Sequence, residues 1–311
     1  MTDIILHHYE SSPFAEKTRA MLGYKQLRWR SVEIPVIMPK PDLMALTGGY
    51  RRTPVLQLGC DVYCDTPLIA RVLESLQPEP ALFPRSQAGT AIPAGRWLDR
   101  ELFFAAMSQL FDPSMAAVSV ETLGGVEQAT AFAADRARMF GGAPVRGYRL
   151  GDGRALLAQI LGPLEAQLAL GGPYLYGAEV GWTDFCAYHP LWALQRHRLQ
   201  SAQLAPYPQL LAWLARMRAF GHGQPEPMAA ADALAHARAS TPRPHTDEAQ
   251  RLDRAKIGDQ VEIAASDYAL EPSVGKLVHV GPDELVIERE DERAGLIAVH
   301  FPRLGFRIKS L

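Results

Sequence analysis

The first 80 residues alternate between strand-like and helix-like hydrophobic spacing. DIILHHY predicts a short apolar strand, and SPFAEKTRAMLG continues at helical spacing until Gly23 ends the pattern. RWRSVEIPV predicts a second strand, KPDLMALT a short helix, and RRTPVLQLGCDVYCD two strands around a turn at Gly59. TPLIARVLESLQ predicts an amphipathic helix. Interleaved helices and strands indicate an α/β domain with a small sheet over residues 1–80.

Residues 90–239 follow a proline-rich linker, PEPALFPRSQAG, and are apolar at helical spacing. The strongest segments are AGRWLDRELFFAAMSQLF, GRALLAQILGPLEAQLAL and YPQLLAWLARMRAF. Because no strand-like alternation interrupts them, the pattern predicts an all-α helical domain.

The hydrophobic period changes from helical to alternating after a second linker, ASTPRPHTDEAQ. Five short strand candidates then follow one another: DQVEIAA, GKLVHV, DELVIERE, LIAVHF and FRIKSL. VGPDE and REDERAG supply turn signals between them. Five short strands over residues 250–311 predict a small C-terminal antiparallel β-barrel.

Charge and cysteine content narrow the function classes. The 311 residues carry a formal net charge of -2, which argues against nucleic acid or a membrane surface as a partner. The apolar stretches are shorter than a membrane span, and the N-terminus lacks the basic region and apolar core of a signal peptide. Three cysteines, an odd number, indicate a reduced compartment and therefore a cytoplasmic protein. We interpret Cys60 and Cys64 as packing residues.

Ser12 and Pro13 stand where the first strand becomes the first helix. Serine is favoured at the N-cap and proline at the first helical position, so capping alone explains an isolated Ser-Pro pair. Two further sites change this interpretation. Pro54 begins an apolar strand, where a cis Thr53–Pro54 bond would turn the Thr53 backbone outward. Asp65 and Thr66 precede Pro67 at another helix start, where they either cap or hold an ammonium group and a carboxylate.

SPFAEKTR, TPVL and DTPLIARVLE, in this order, resemble the N-terminal domain of the glutathione transferase family, which has the thioredoxin fold. The helical segment resembles the C-terminal domain of that family. Within it, VGWTDFCAYHPLWAL resembles a capping motif in which a Ser or Thr caps and Asp follows three residues later. Gly181 stands here in the cap position and Asp184 in the later one. The resemblance covers residues 1–239, and the last segment lies outside the usual architecture of the family.

The resemblance implies a role for each N-terminal candidate. Ser12, immediately before the Pro-Phe pair, would be the catalytic hydroxyl that donates to the glutathione sulfur, with Ser11 as the fallback. The other glutathione-binding candidates are Phe14, Arg52, Thr53, Pro54, Asp65 and Thr66. Thr53 would pair its backbone with the cysteinyl unit, and Asp65 and Thr66 would hold the γ-glutamyl end. Arg52 is the candidate for the glycyl end, with a solvated arginine as the alternative.

A hydroxyl group and a helix N-terminus together provide enough free energy to keep a thiol ionised without a metal. A free thiol has a pKa of about 8.5, and lowering it by about two units requires about 2.7 kcal/mol. A hydrogen bond to a charged group contributes about 1.5–3 kcal/mol and a helix N-terminus about 0.3–1 kcal/mol. The resemblance implies that bound glutathione, as co-substrate, would be the nucleophile. The sequence has no paired-histidine zinc motif, and we predict no metal cofactor.

We expect the second substrate to be a small hydrophobic electrophile packed against the helical domain. The candidate wall residues are Trp97, Phe103, Phe104, Met107 and Phe111, each of which is alternatively an ordinary core residue. The resemblance implies a glutathione-dependent transferase and a homodimer, and the cysteine content predicts a cytoplasmic location. The alternative is a non-catalytic glutathione-binding or scaffold protein whose C-terminal β-domain mediates protein contacts.

Overall fold

The strands of the protein form one continuous sheet. A computed structural model describes residues 3–87, 89–110, 116–141, 147–197, 199–245 and 251–311. The strands are β1 Ile4–His8, β2 Arg28–Glu33, β3 Val55–Leu58, β4 Asp61–Cys64, β5 Gln224–Pro227, β6 Gln260–Ala265, β7 Ser273–Val280, β8 Glu284–Asp291, β9 Gly295–Pro302 and β10 Phe306–Ser310. All ten pair in the order β10-β6-β7-β8-β9-β4-β3-β1-β2-β5.

Helices cover both faces of the N-terminal half of this sheet and build the separate helical domain. They are α1 Pro13–Tyr24, α2 Pro41–Thr47, α3 Thr66–Leu76, α4 Ala91–Trp97, α5 Phe103–Leu110, α6 Ala116–Leu123, α7 Val126–Phe140, α8 Leu150–Gly171, α9 Trp182–Arg196, α10 Pro208–Ala219 and α11 Ala230–Arg238. A π-helical stretch, Leu98–Leu102, joins α4 to α5. No helix among the described residues is both long and apolar enough to cross a membrane.

The predicted α/β unit is present at the N-terminus. Strand β1 pairs parallel with β2 and antiparallel with β3, and β3 pairs antiparallel with β4. Apolar residues of α1 and α3 pack on one face of the sheet together with the helical domain, whereas α2 and α11 pack on the other face. Gly48 ends α2 with a φ of 76°, the left-handed conformation that glycine adopts readily. This arrangement brings the N-termini of α1 and α3 to one end of the sheet.

The helical domain is as predicted except at its end. Strand β5, with the sequence QPEP, lies within the range predicted to be all-helical and pairs parallel with β2. Two of its four residues are prolines, which lack a backbone donor, and none is β-branched. The segment therefore shows none of the sequence features that predict a strand. It is tolerated because β5 is the edge strand of the sheet. Helix α11 then packs on the sheet rather than on the other helices.

All five C-terminal strand candidates are strands, and their neighbours pair antiparallel. The closed barrel that we predicted is not confirmed, because β10 and β9 lie at opposite ends of the five-stranded group. Strand β9 instead pairs parallel with β4, placing Tyr63 opposite His300. One apolar core runs under both groups of strands, with Val62 and Val299 both buried in it. The C-terminal β-domain is therefore an extension of the first sheet.

Candidate functional site

A cavity of about 300 Å³ lies where the α/β unit, the helical domain and the β-domain meet. The residues that line it are Phe14, Tyr50, Arg52, Thr53, Pro54, Asp65, Thr66, Pro67, Arg96, Asp99, Arg100, Phe103, Phe104, Ser266, Asp267, Tyr268, Leu304 and Gly305. Its volume is at the lower end of the usual range for small-molecule sites. Six of the eight predicted site residues thus surround one cavity.

Helix α1 places Phe14 in the cavity and Ser12 at the N-cap. Ser12 is buried, and its Oγ accepts a hydrogen bond from the Ala15 amide at 3.2 Å. Ser12 is not among the residues that line the cavity, and the neighbouring Ser11 is exposed. Ser12 is therefore the N-cap of α1, as the sequence predicted. Its hydroxyl proton is not used in that contact, because the oxygen is the acceptor.

The Thr53–Pro54 peptide bond is cis, the isomer that the sequence made possible. Lys40 Nζ donates to Thr53 Oγ1 at 3.2 Å, and this hydrogen bond holds the Thr53 side chain in place. Burial, together with the nearby Arg136 and Arg51, lowers the pKa of Lys40 to about 7. A partly neutral lysine can remain buried at this position at a lower cost than a charged one.

The N-terminus of α3 presents Asp65 and Thr66 to the cavity. Asp65 has a φ of 73°, and its Oδ1 accepts from the Thr66 amide at 2.8 Å. Burial raises the pKa of Asp65, whereas the Arg52 guanidinium opposes this increase. Lys17 Nζ donates to Thr66 Oγ1 at 3.2 Å and holds that hydroxyl group in place. A carboxylate, a hydroxyl and a helix N-terminus are thus close together, which suits an amino-acid zwitterion.

Arg52 connects the cavity to the β-domain. Its Nη2 donates to Asp267 Oδ1 and to the Tyr268 carbonyl oxygen, and its guanidinium lies 3.9 Å from the centre of the Tyr268 ring. The alternative of a solvated Arg52 therefore does not hold. Asp267 and Tyr268 follow β6 and bring the C-terminal strands to the predicted ligand site. Because these partners already occupy one side of its guanidinium, Arg52 can bind a ligand only from the other.

The predicted apolar wall is partly present. Phe103 and Phe104 line the cavity, and Phe14 packs against Phe103 with 4.7 Å between ring centres. Trp97 is 49% exposed and does not line the cavity, and Met107 is buried in the helical domain. Phe111 lies outside the described residues. Successive helical positions point in different directions, which explains why only part of one apolar run can face the cavity.

Several cavity-lining residues that come from the helical domain and the β-domain were not predicted from the sequence. Asp99 lines it and also accepts from Lys17, with Nζ–Oδ2 at 2.7 Å. Arg96 and Arg100 extend from the same helical segment, and Asp267 and Tyr268 come from the β-domain. The spacing of Arg96, Asp99 and Arg100 at three and four residues was the available signal, since it places them on one helix face.

The capping motif within the helical domain is present in spite of Gly181. Asp184 Oδ2 accepts from the Gly181 amide at 3.0 Å, and Asp184 Oδ1 accepts from the Leu175 amide and Trp213 Nε1, both at 2.9 Å. Burial raises the pKa of Asp184 to about 6, against the effect of these donors. Glycine suffices because the motif uses its backbone amide.

Comparison with known proteins agrees with this geometry. Residues 6–81 match the N-terminal domain of glutathione S-transferases, and residues 126–216 match their C-terminal domain. A solved GST-like protein from Pseudomonas syringae is 40% identical to this chain, with all of each chain covered and a TM-score of 0.83. The chain belongs to the glutathione S-transferase family. Members of this family typically bind glutathione and electrophilic substrates.

More distant transferases show the same fold over the first two domains. A glutathione S-transferase from Rhodospirillum rubrum is 20% identical, covering 69% of this chain and 87% of its own, with a TM-score of 0.52. A glutathione S-transferase-I bound with lactoylglutathione is 15% identical, covering 70% of this chain and 94% of its own, with a TM-score of 0.51. Comparison with curated proteins gave no significant match.

A second polar cluster lies outside the cavity, where β4 pairs with β9. In the described part of the chain, His245, His279 and Glu284 form one group whose ligand atoms lie within 4.8 Å of one another. Arg243 Nη2 donates to Glu284 Oε1 at 2.7 Å, and His300 bridges Glu284 and Asp61 with both contacts at 2.9 Å. The Glu284 charge is therefore already compensated by protein groups, and the absence of a metal cofactor stays a prediction.

Proposed function

We propose that the protein is a glutathione-dependent transferase that conjugates or exchanges the glutathione thiolate on a small electrophilic compound. The observation that supports this most directly is the cavity itself. Thr53, Asp65 and Thr66 meet Phe103 and Phe104 there, so groups suited to a peptide ligand lie beside an apolar wall. Such a pairing of polar anchors with aromatic surface is typical of small-molecule sites.

Glutathione would bind across the ends of β3 and α3. The Thr53 backbone pairs with the cysteinyl unit, as an added strand pairs with a sheet edge. Asp65 accepts from the γ-glutamyl ammonium group, and Thr66 with the first amides of α3 holds the adjacent carboxylate. Arg52 offers its remaining donors to the glycyl carboxylate.

Ser12 would stabilise the thiolate. Its oxygen accepts from the Ala15 amide, so its proton can point towards a sulfur placed at the N-terminus of α1. One hydroxyl and a helix N-terminus together provide the roughly 2.7 kcal/mol that a pKa decrease of about two units requires. Ser11, which is exposed, remains the fallback donor.

The position of the β-domain favours an enzyme over the scaffold alternative. Ser266, Asp267 and Tyr268 face the cavity, and Arg52 binds two of them. A domain that served protein contacts alone would not need to form a wall of the ligand site. We also propose a cytoplasmic homodimer: the three buried, unpaired cysteines suit a reducing compartment, and dimers are common in the family.

Calorimetry with glutathione tests the shared premise, followed by turnover of a general aromatic electrophile. We expect Ser12→Ala to lose turnover while keeping glutathione affinity, with Ser11→Ala as the matched comparison. If Ser12→Ala is as active as the parent and Ser11→Ala is not, the thiolate donor is Ser11. A protein that binds no glutathione and turns over no electrophile would contradict the proposed function.

A further inference from the structure

The charges that line the cavity are unevenly compensated. Three arginines and three aspartates face it. Arg52 pairs with Asp267, and Asp99 pairs with Lys17, whose Nζ lies 2.7 Å from Asp99 Oδ2. The cations of the helical domain are left with less compensation than those of the α/β unit.

Arg96, near the end of α4, and Arg100, in the π-helical stretch that follows it, are those cations and lie about one helical turn apart. Within the described residues, Arg96 has no acidic partner, and its guanidinium reaches towards Gly305 of the β-domain. Arg100 Nε lies 3.4 Å from Glu101 Oε1, and Glu101 also accepts from the Tyr148 hydroxyl. Two guanidinium groups therefore face the cavity with little neutralisation, and they attract an anion.

Aromatic side chains surround the space beside these arginines. Phe14 and Phe103 lie on one side, with 4.7 Å between ring centres. Phe104 and Tyr268 meet edge to face on the other, with 6.1 Å between ring centres, so the β-domain supplies one wall. Four rings in such contacts favour a planar aromatic ligand, because offset and edge-to-face packing both suit it.

We propose that the second substrate is an aromatic electrophile that carries an anionic substituent, such as a carboxylate, bound by Arg96 and Arg100. This inference rests on the proposed function and adds the class of compound. For an aryl halide, the glutathione thiolate forms the carbon–sulfur bond at the carbon that carries the halogen. The carbon–halogen bond then breaks, and halide leaves with the electron pair.

Binding tests the inference separately from catalysis. Dinitrobenzoate and dinitrobenzene, which differ in the carboxylate, are titrated by calorimetry into the full-length protein in the presence of glutathione. We expect dinitrobenzoate to bind about tenfold tighter, the effect of one hydrogen-bonded charge pair, and this preference to be lost in the Arg96→Gln/Arg100→Gln variant. Arg138→Gln, an exposed arginine of α7 outside the cavity, is the matched control and should keep the preference.

Turnover of chlorodinitrobenzoate and chlorodinitrobenzene, each divided by its uncatalysed rate with glutathione, tests the proposed function. Equal affinity for the charged and neutral ligands, or equal loss of both in the double variant, would overturn the inference while leaving the transferase reaction intact. Anion-selective binding without turnover of either compound would support the inference on ligand class and count against the proposed function.

Discussion

Lys17 Nζ lies 2.7 Å from Asp99 Oδ2, so a buried ion pair joins helix α1 of the thioredoxin-like domain to the helical domain. Lys17 is fully buried beneath the Trp182 ring, 3.8 Å from its centre. His189 Nε2 contacts the same carboxylate at 3.0 Å. The pair thus fixes the angle between two of the three units that meet at the cavity.

Removing one member of this pair should destabilise the protein strongly. We expect Lys17→Met to lower the free energy of unfolding by about 3 kcal/mol, because it leaves the Asp99 carboxylate without its cation. Chemical denaturation measures this change. The Lys17→Met/Asp99→Leu double variant should recover much of the loss, and Arg293→Gln, which breaks an exposed pair with Asp42, should have little effect. Additive losses in the double variant would contradict the role of the pair.

Asp65 offers a test of the glutathione anchor that leaves the fold intact. Asparagine tolerates the positive φ of this residue and still caps α3 through its carbonyl oxygen. Asp65→Asn removes only the charge, so we expect unchanged thermal stability and about tenfold weaker glutathione binding. Calorimetry gives the affinity and thermal unfolding the control. Equal affinity in the two proteins would remove Asp65 from the ammonium site.

Local sequence predicted the elements but not how they join. Ser12 and Gly59 were sufficient to place the start of α1 and the turn between β3 and β4, because capping and turn chemistry act over a few residues. Gly23, which was predicted to end α1, lies inside the helix, and Lys25 is its C-cap. The pairing of β9 with β4 was not predictable, since it depends on an open strand edge more than 230 residues away in the sequence. The same long-range pairing brings Asp267 and Tyr268 to Arg52, so the wall of the candidate site that the β-domain supplies could not be predicted from local sequence.

Acid should destabilise the protein through buried neutral histidines. Burial lowers the pKa of His7 from 6.5 to about 4, and its Nε2 lies 2.8 Å from Gln57 Oε1. Because the unfolded chain takes up a proton near pH 6.5 and the folded chain does not until about pH 4, stability is present above pH 6.5 and decreases as the pH falls towards 4. His7 alone should contribute roughly 2 kcal/mol of this loss at about pH 5.

Denaturation at a series of pH values checks the His7 contribution. His7→Gln should reduce the slope of unfolding free energy against pH between about pH 6.5 and 5, whatever its effect at neutral pH. Leu6→Ala, which destabilises the same strand without changing a titratable group, should lower the curve and keep its slope. An unchanged slope in His7→Gln would show that His7 does not remain neutral in the folded protein.

The contact between the end of α2 and the β-domain can be tested at Gly49. A Cβ at this position would lie 2.0 Å from the Pro272 carbonyl oxygen, which is backbone and cannot move aside alone. Gly49→Ala should therefore push the β-domain away from the loop that carries Arg52 and cost about 1–3 kcal/mol. Gly151→Ala, in α8, where the new Cβ would meet nothing within 4 Å outside its own stretch of helix, is the matched control and should be neutral or slightly stabilising. Asp267 and Tyr268 line the cavity from the same β-domain, so Gly49→Ala should also weaken glutathione binding. A stable Gly49→Ala variant with the affinity of the parent would show that the β-domain does not shape the ligand site.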